Sequence, residues 1–336
     1  MAVALLYGMR TSHSPHPHRT RTGVLAALAL ALMVLTGCGS TDTGRDTDRP
    51  TAAPAPSSAH ATEPAATTAY LRVDGIDRTY HLHRPPTAPD GPRPLIVAFH
   101  GRNSDAAELR EQTRLERAAG KRGMLVAYPE GLDHGWGAGT RKTPQRPDPA
   151  RDVRFAEALV AHLVRTERAD PRRVYAAGFS NGGSMALRLA ADRPRLLAGA
   201  ASVSGQLPTG ADAVRPTGRV PVLIVYGADD PVRPLAGLPS PPPDPKEPIV
   251  PTMSARASAQ AFAAAGEAGP PRTSPERGYD RTTWRLPGTP AGTVQLLVVH
   301  DAGHTWPGSA MTPPEGFGRT SRALDATTTL LDFFTR

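Results

Sequence analysis

A serine framed by glycines is the first feature of this chain with chemistry in it. The stretch "AAGFSNGGS" reads Gly178-Phe179-Ser180-Asn181-Gly182, a G-x-S-x-G pattern. It follows the apolar run "RVYAA" and leads into "NGGSMALRLAAD", whose spacing predicts a helix. A strand-to-helix turn this sharp needs small residues on both flanks of the serine, so context and pattern together mark Ser180 as a nucleophile. At a helix N-terminus its oxygen sits where negative charge is favoured. A serine hydroxyl attacks only when a base takes its proton and an acid orients that base. With a serine on such a turn, the partners follow in the order acid, then histidine. Beyond the acid candidates only His300 and His304 remain. His300 ends the run "VQLLVVH", where packing or hydrogen bonding fixes it. His304 lies in "DAGHTWPGS", a loop bounded by Gly and Pro from which a mobile imidazole reaches the serine, so His304 is the expected base.

The acid is sought in "YGADDPVRP", Tyr226 to Pro234, where two carboxylates follow the apolar run "VPVLIV". Asp230 precedes Pro231, and a residue before proline is pushed toward extended backbone, which restricts where its carboxylate points. Asp229 is then solvated or bonded within the turn. The pair also raises the question of a metal. No His or carboxylate cluster at ligand spacing accompanies it, and serine-based ester hydrolysis needs none, so neither metal nor other cofactor is expected. A developing oxyanion needs backbone N–H donors, one from the residue after the serine and one from the loop after an early strand. These are Asn181 and, in "FHGRNS", Arg102. Trp136 and Trp306 are candidates for an aromatic substrate wall, with core packing as the competing role. Asp152, at the start of a helical pattern, reads as a cap.

The elements that must position these residues alternate between strand and helix. "TYHLHR", "PLIVAFHG", "MLVAYPE", "RVYAAGFS", "LAGAASVSG", "VPVLIVYG" and "VQLLVVH" read as strands. Ser104 to Gly123 reads as one helix with a Ser cap, and further helices are expected over 152–168, 181–192, 254–265 and 321–334. Apolar strands buried on both faces, with crossover helices between them, make an open parallel sheet in one domain. A proline-rich excursion, Leu238 to Pro251, interrupts the pattern; it is expected to be an extended surface segment, either a substrate-facing loop or a tolerated insertion.

The N-terminal part belongs to a different regime. Met1 to Gly37 holds three arginines, no acid and the twelve-residue apolar run "VLAALALALMVL", too short for a membrane span and typical of an export signal. It ends in "LTGC", a lipobox-like sequence whose Cys38 is the only cysteine of the chain. A lone thiol builds neither a disulfide nor a cysteine metal site; lipidation of Cys38 would supply the two or more acyl chains that stable anchoring needs. Residues 38–69 are Ser, Thr, Ala, Pro and Asp with almost no large apolar side chain, and are expected to form a disordered tether. The catalytic domain then runs over 70–336. Formal charge is +8, or +5 without the leader's three arginines, with no run of five basic residues, so nucleic acid is not an expected partner. The expected location is outside the cytoplasm, held to the bilayer through Cys38.

Together "FHG", "GFSNGG", "GADDPV", "GHTWPG" and the terminal "ALDATTTLLDFF" resemble the polyhydroxybutyrate-depolymerase-like esterases of the α/β-hydrolase fold, related to feruloyl and acetylxylan esterases. The resemblance runs from about Tyr70 to Arg336. It implies an α/β fold with a mostly parallel central sheet and helices on both faces, Ser180 as nucleophile and His304 as base. The family's H-G-x-x-D-P reads here Tyr226-Gly227-Ala228-Asp229-Asp230-Pro231, which puts the acid at Asp230. Two departures stand out. The W-N-x-G and cysteine pair of many relatives is replaced by Trp136-Gly137 without cysteines, and Asn103 occupies a position often held by glycine, which asparagine's tolerance of left-handed angles permits. With no polymer-binding domain expected, the implied activity is hydrolysis of soluble short-chain esters, such as hydroxyalkanoate oligomers or feruloyl and acetyl esters of polysaccharide, by a monomer. A peptidase or dienelactone-hydrolase-like activity on the same triad, or a non-catalytic carbohydrate-binding lipoprotein, are the alternative readings, since a fold does not fix its substrate.

Overall fold

The computed structural model describes residues 66–85, 91–239, 250–288 and 292–336. The leader, Cys38 and all but the end of the expected tether lie outside the described residues, as do residues 240–249 of the proline-rich excursion.

Among the described residues ten strands form one sheet: β1 (Thr67–Val73), β2 (Ile76–His83), β3 (Arg93–Phe99), β4 (Leu125–Pro129), β5 (Ala169–Phe179), β6 (Gly199–Val203), β7 (Val222–Gly227), β8 (Arg272–Glu276), β9 (Tyr279–Arg285) and β10 (Thr293–Val299). Their order is β1-β2-β4-β3-β5-β6-β7-β10-β9-β8. The six central strands, from β4 to β10, are parallel. Apart from the ends of β3 and β5 they are almost wholly buried runs of Val, Ile, Leu and Ala, as strands covered on both faces must be. Helices α1 (Ala106–Thr113), α2 (Leu115–Gly120), α3 (Ala150–Glu167), α4 (Asn181–Asp192), α5 (Ala255–Ala265) and α6 (Ala326–Phe334) pack against it. Two apolar layers result. One joins Leu95, Val97 and Phe99 to α3, α4 and α5; the other joins Ile96, Ala98 and Val126 to α1, α2 and α6.

The flanks carry what the sequence pattern did not. Strands β1, β8 and β9 pair antiparallel at the two sheet edges. β1 is more than half exposed, and β8 is polar and contains Pro275, so no buried apolar run announces them. Because Thr67 pairs with Leu82, the folded part begins at or before Thr67, not at residue 70. The helix expected over 104–123 is two helices. Asp105, not Ser104, caps α1 by accepting the Glu108 amide at 2.8 Å. Arg114 then turns left-handed at φ 48°, so that Leu109 and Leu115 both face inward across the break.

Asp152 is no cap either. Pro149 occupies the position before α3, and Asp148 accepts the Ala150 amide at 2.9 Å. Asp152 is wholly buried; one carboxylate oxygen accepts from Arg78 Nη2 at 3.0 Å and the other from the Gly137 amide at 2.8 Å. Burial draws the Arg78 guanidinium below the usual arginine range, and Asp152 opposes that shift. The pair ties strand β2 to α3 and to the loop behind β4.

The proline-rich excursion leaves and re-enters the domain at one point. Leu238 N donates to Thr252 Oγ1 at 3.1 Å, Thr252 N returns a bond to Leu238 O at 3.2 Å, and the Thr252 hydroxyl reaches Gln206 Oε1 at 2.8 Å.

Removing one member of a buried ion pair strands the other charge, at about 3–5 kcal/mol. Asp152→Ala is therefore expected to lower the urea-unfolding free energy by about that amount, whereas Asp77→Ala, at the exposed Arg72 pair, changes it by under about 1 kcal/mol.

Candidate active site

Parallel strands that end in register bring their following loops to one edge. Phe99 of β3 lies opposite Gly178 of β5, Phe179 opposite Val203 of β6, Val203 opposite Val225 of β7, and Gly227 opposite Val299 of β10. The loop amides extend the ladder: Ser180 N bonds Val203 O at 2.8 Å, Ala228 N bonds Val299 O at 2.9 Å, and Asp229 N bonds Ala302 O at 3.0 Å. Ser180, Asp230 and His304 thus arrive at the carboxyl edge from three distant parts of the chain.

Ser180 sits at φ 54°, ψ −118°, a sparsely populated conformation that costs about 1–3 kcal/mol. The flanking glycines make it possible by closeness, not by their own backbone angles. A Cβ on Gly178 would lie 2.3 Å from Gly182 O, and one on Gly182 would lie 2.1 Å from Phe99 O. The turn therefore packs backbone on backbone, and α4 starts directly against the end of β3.

His304 Nε2 lies 2.8 Å from Ser180 Oγ, and His304 Nδ1 lies 2.7 Å from Asp230 Oδ2. The tautomer consistent with both contacts has Nδ1–H donating to Asp230 and Nε2 accepting from the serine hydroxyl. The other Asp230 oxygen accepts the Val232 and Arg233 amides at 3.0 and 2.7 Å, so both oxygens are bonded in place. Asp229, its neighbour, is exposed, whereas Asp230 is buried. The histidine loop is not mobile in the sense expected. His304 is 2% exposed, lies between Phe179 and Phe317 at ring distances of 5.1 and 5.3 Å, and its amide donates to Phe317 O at 2.6 Å. His300 points elsewhere, 3.1 Å from Asp280 on the surface.

Arg102 and Asn181 both flank the serine. Arg102 follows Gly101, where an added Cβ would lie at ordinary contact distance, 3.8 Å, from the Ser180 Cβ, and Arg102 lines the cleft over the serine. Asn181 is the first residue of α4, where amides have no intrahelical acceptor. Its side chain also clamps the neighbouring loop, with Oδ1 accepting the Trp136 amide at 2.7 Å and Nδ2 donating to Ala138 O at 2.6 Å. Asn103 does adopt φ 59°, with its amide on His134 O.

The tryptophans depart from expectation. Trp136 is 0% exposed, edge-on to Phe99 at 5.0 Å, with its indole N–H donating to His100 O at 2.9 Å. It is core, not a substrate wall. Trp306 is also buried, its indole N–H donating to Thr327 Oγ1 at 3.0 Å, but an edge still lines the hollow beside His304. A larger cleft of about 330 Å³ opens over Ser180, with Arg102, Val232, Pro314 and Phe317 around it.

Sequence reasoning passed over His100. Its Nε2 accepts the Gly131 amide at 3.0 Å, so the proton is on Nδ1, which donates to Gly101 O at 2.7 Å. In a planar trans peptide the Arg102 N–H points opposite to that carbonyl, so His100 sets its direction. Burial holds His100 below the usual histidine range, partly offset by the Gly101 bond and by nearby Glu130. The signal in the sequence was the histidine of "FHGRNS", a stretch read only for the Arg102 amide and for the family resemblance.

Comparison with known proteins places this architecture among esterases. Residues 78–235 match the family model described as Esterase PHB depolymerase, a span that contains Ser180 and Asp230 but stops short of His304. The chain is 43% identical over 275 residues to "Putative esterase NocK" of Nocardia uniformis subsp. tsuyamanensis, covering 78% of this chain and 80% of that protein. It is 30% identical over 184 residues to feruloyl esterase C of Emericella nidulans, covering 52% of this chain and 62% of that protein. Among solved structures, the acetyl xylan esterase of Aspergillus awamori superposes with a TM-score of 0.54 over 80% of this chain and 98% of that one, at 15% identity. That likeness shows the α/β-hydrolase fold.

A buried neutral histidine gives a signed pH effect. Unfolded His100 takes a proton as pH falls through about 6.5, while the folded residue resists it, so the unfolded state binds more protons and stability drops between about pH 7.5 and 5.5. His100→Gln is expected to flatten that slope in urea-unfolding titrations while lowering stability at the upper pH.

Proposed function

This chain belongs to the esterase PHB depolymerase family, and from that premise we propose that it is an exported, lipid-anchored serine esterase working through an acyl-enzyme. The observation that carries the reading is the pair of contacts on one imidazole, 2.8 Å to Ser180 Oγ and 2.7 Å to Asp230 Oδ2. His304 takes the serine proton as Oγ attacks the ester carbonyl, and Asp230 holds the imidazole in the required tautomer and stabilises the imidazolium. The Arg102 and Asn181 amides receive the oxyanion, with His100 fixing the first peptide and the helix start supplying the second. His304 then gives its proton to the leaving alkoxide, and a water activated by the same imidazole frees the acid.

The substrates proposed are short-chain carboxylic esters, such as hydroxyalkanoate oligomers or feruloyl and acetyl esters of polysaccharide; among the relatives, one is named a feruloyl esterase and one an acetylxylan esterase. A roughly 330 Å³ cleft over the serine suits a short chain. Export and anchoring rest on the leader and on Cys38 in "LTGC". No metal or cofactor has a part in this chemistry.

A fluorophosphonate probe is expected to label the folded protein at Ser180, with labelling lost in Ser180→Ala and kcat on a p-nitrophenyl ester reduced by at least about 10⁴-fold. Labelling that persists in Ser180→Ala would sink the assignment. Asp230→Asn should lower kcat by about 10³–10⁴-fold, and Asp229→Asn should leave it nearly unchanged; the reverse pattern would exchange their roles. Cys38→Ala is expected to move the protein from the membrane fraction to the medium.

A further inference from the structure

Three hollows lie side by side along the carboxyl edge of the sheet. One of about 330 Å³ contains Ser180, one of about 100 Å³ lies between His304 and Trp306, and one of about 390 Å³ lies between α2 and the start of α6. They form one groove. Gln112 lines all three, His304, Phe179 and Phe317 are shared by the first two, and Trp306 and Ser309 by the last two.

The chemistry changes along this groove. Next to the reactive serine comes a stretch with an apolar wall of Phe179, Pro313, Pro314 and Phe317, and with Glu108, Gln112 and threonines along its other side. The far hollow is cationic: Arg114, Arg117, Lys121 and Arg122 line it, against Asp325 as its one carboxylate. Asp325 is engaged in capping α6, with Oδ1 accepting the Thr328 amide at 2.6 Å, and Arg122 is paired with Asp332 at 2.6 Å. Arg114 and Lys121 are exposed and form no ion pair among the described residues. Arg114, Arg117 and Lys121 follow one another at intervals of three and four along and beside α2, which places them on one side, where like charges repel. Arg117 is engaged within the fold, so an anion in the hollow would meet the charges of Arg114 and Lys121 first.

Direction fixes which part of a substrate reaches it. The groove leaves the serine past His304, the group that returns a proton to the leaving oxygen, so substrate atoms on that side belong to the alcohol portion. Resting on the serine-esterase reading above, we infer that the far hollow is a subsite for a carboxylate on the alcohol portion of the ester, reached across an apolar spacer. The preferred substrates are then esters of hydroxy acids whose carboxyl end is free. In the reaction the bond between acyl carbon and alkoxy oxygen breaks, the His304 proton goes to that oxygen, and a hydroxy acid leaves by the cationic end. Water later supplies the oxygen and proton that complete the second acid.

The test uses the full-length protein and butyryl esters of ω-hydroxy acids of graded chain length, each as free acid and as methyl ester. At low salt the wild type is expected to favour the free acid in kcat/KM by about tenfold at the best spacer length, as one partly shielded charge pair allows. The preference should shrink as salt is raised. Arg114→Gln with Lys121→Glu should abolish it while leaving kcat/KM on the methyl ester unchanged. A ratio near one at every length, or a preference that survives the double substitution, overturns the subsite. Calorimetry on the Ser180→Ala protein reads binding without turnover: the free acid should bind about tenfold more tightly than the methyl ester, and equal binding refutes the subsite. If the wild type hydrolyses neither ester while charge-dependent binding persists, the esterase reading fails and the subsite stands.

Discussion

Backbone meets backbone where the first turn of α4 lies against the end of β3, and the rest of the site is arranged around that contact. Gly182 touches the Phe99 and His100 carbonyls, and Gly178 touches Gly182, with no room for a Cβ at either place. The turn is driven into a conformation that a serine avoids, and its cost is offset by the sheet and helix on both sides. The contact also determines spacing. It holds the Asn181 amide and the Gly101–Arg102 peptide at neighbouring positions, so the two proposed oxyanion donors have their separation set by main-chain packing, which side-chain motion alters little.

Around this junction runs a set of buried polar groups that fasten loops which have no regular structure of their own. Asn181 holds residues 136 and 138, Asp152 holds Gly137, and His100 holds Gly101 and Gly131. Each group bonds main-chain amides or carbonyls, which otherwise would be buried without partners at a cost of about 1–3 kcal/mol each. The loops of the candidate site and the loops around it are thus one network. A change at Asp152, on the far side of Trp136, acts on the same segment that Asn181 clamps.

Much of this was legible in the sequence, and the reasons differ by element. The central strands announce themselves as continuous apolar runs because both faces are buried. The outer strands β1, β8 and β9 do not, since each is only partly buried and cross-strand pairing keeps it in place. The break at Arg114 was hidden because residues 106–120 keep helical composition across it; tertiary burial of Leu109 and Leu115 overrides the continuous pattern. Local turn chemistry and chain order pointed to Ser180 and His304, and the proline together with the family pattern pointed to Asp230; the structure brings these three side chains into contact. What composition could not tell was which polar side chains face inward. Asp152 looks like a cap, Trp136 looks like a binding-site ring and His100 looks like a flank to a glycine. Each owes its role to a neighbour distant in the chain, Arg78, Phe99 and Gly131 respectively.

The stems of the proline-rich excursion carry a further consequence. Leu238 and Thr252 bond each other twice, and Thr252 is anchored to Gln206, so the domain closes beneath the excursion whatever lies between. Doubling the length of such a closed segment costs only about 0.6 kcal/mol. Evolution can therefore lengthen, shorten or exchange it without renegotiating the core, and a reporter or recognition sequence spliced there would leave the fold's accounts untouched.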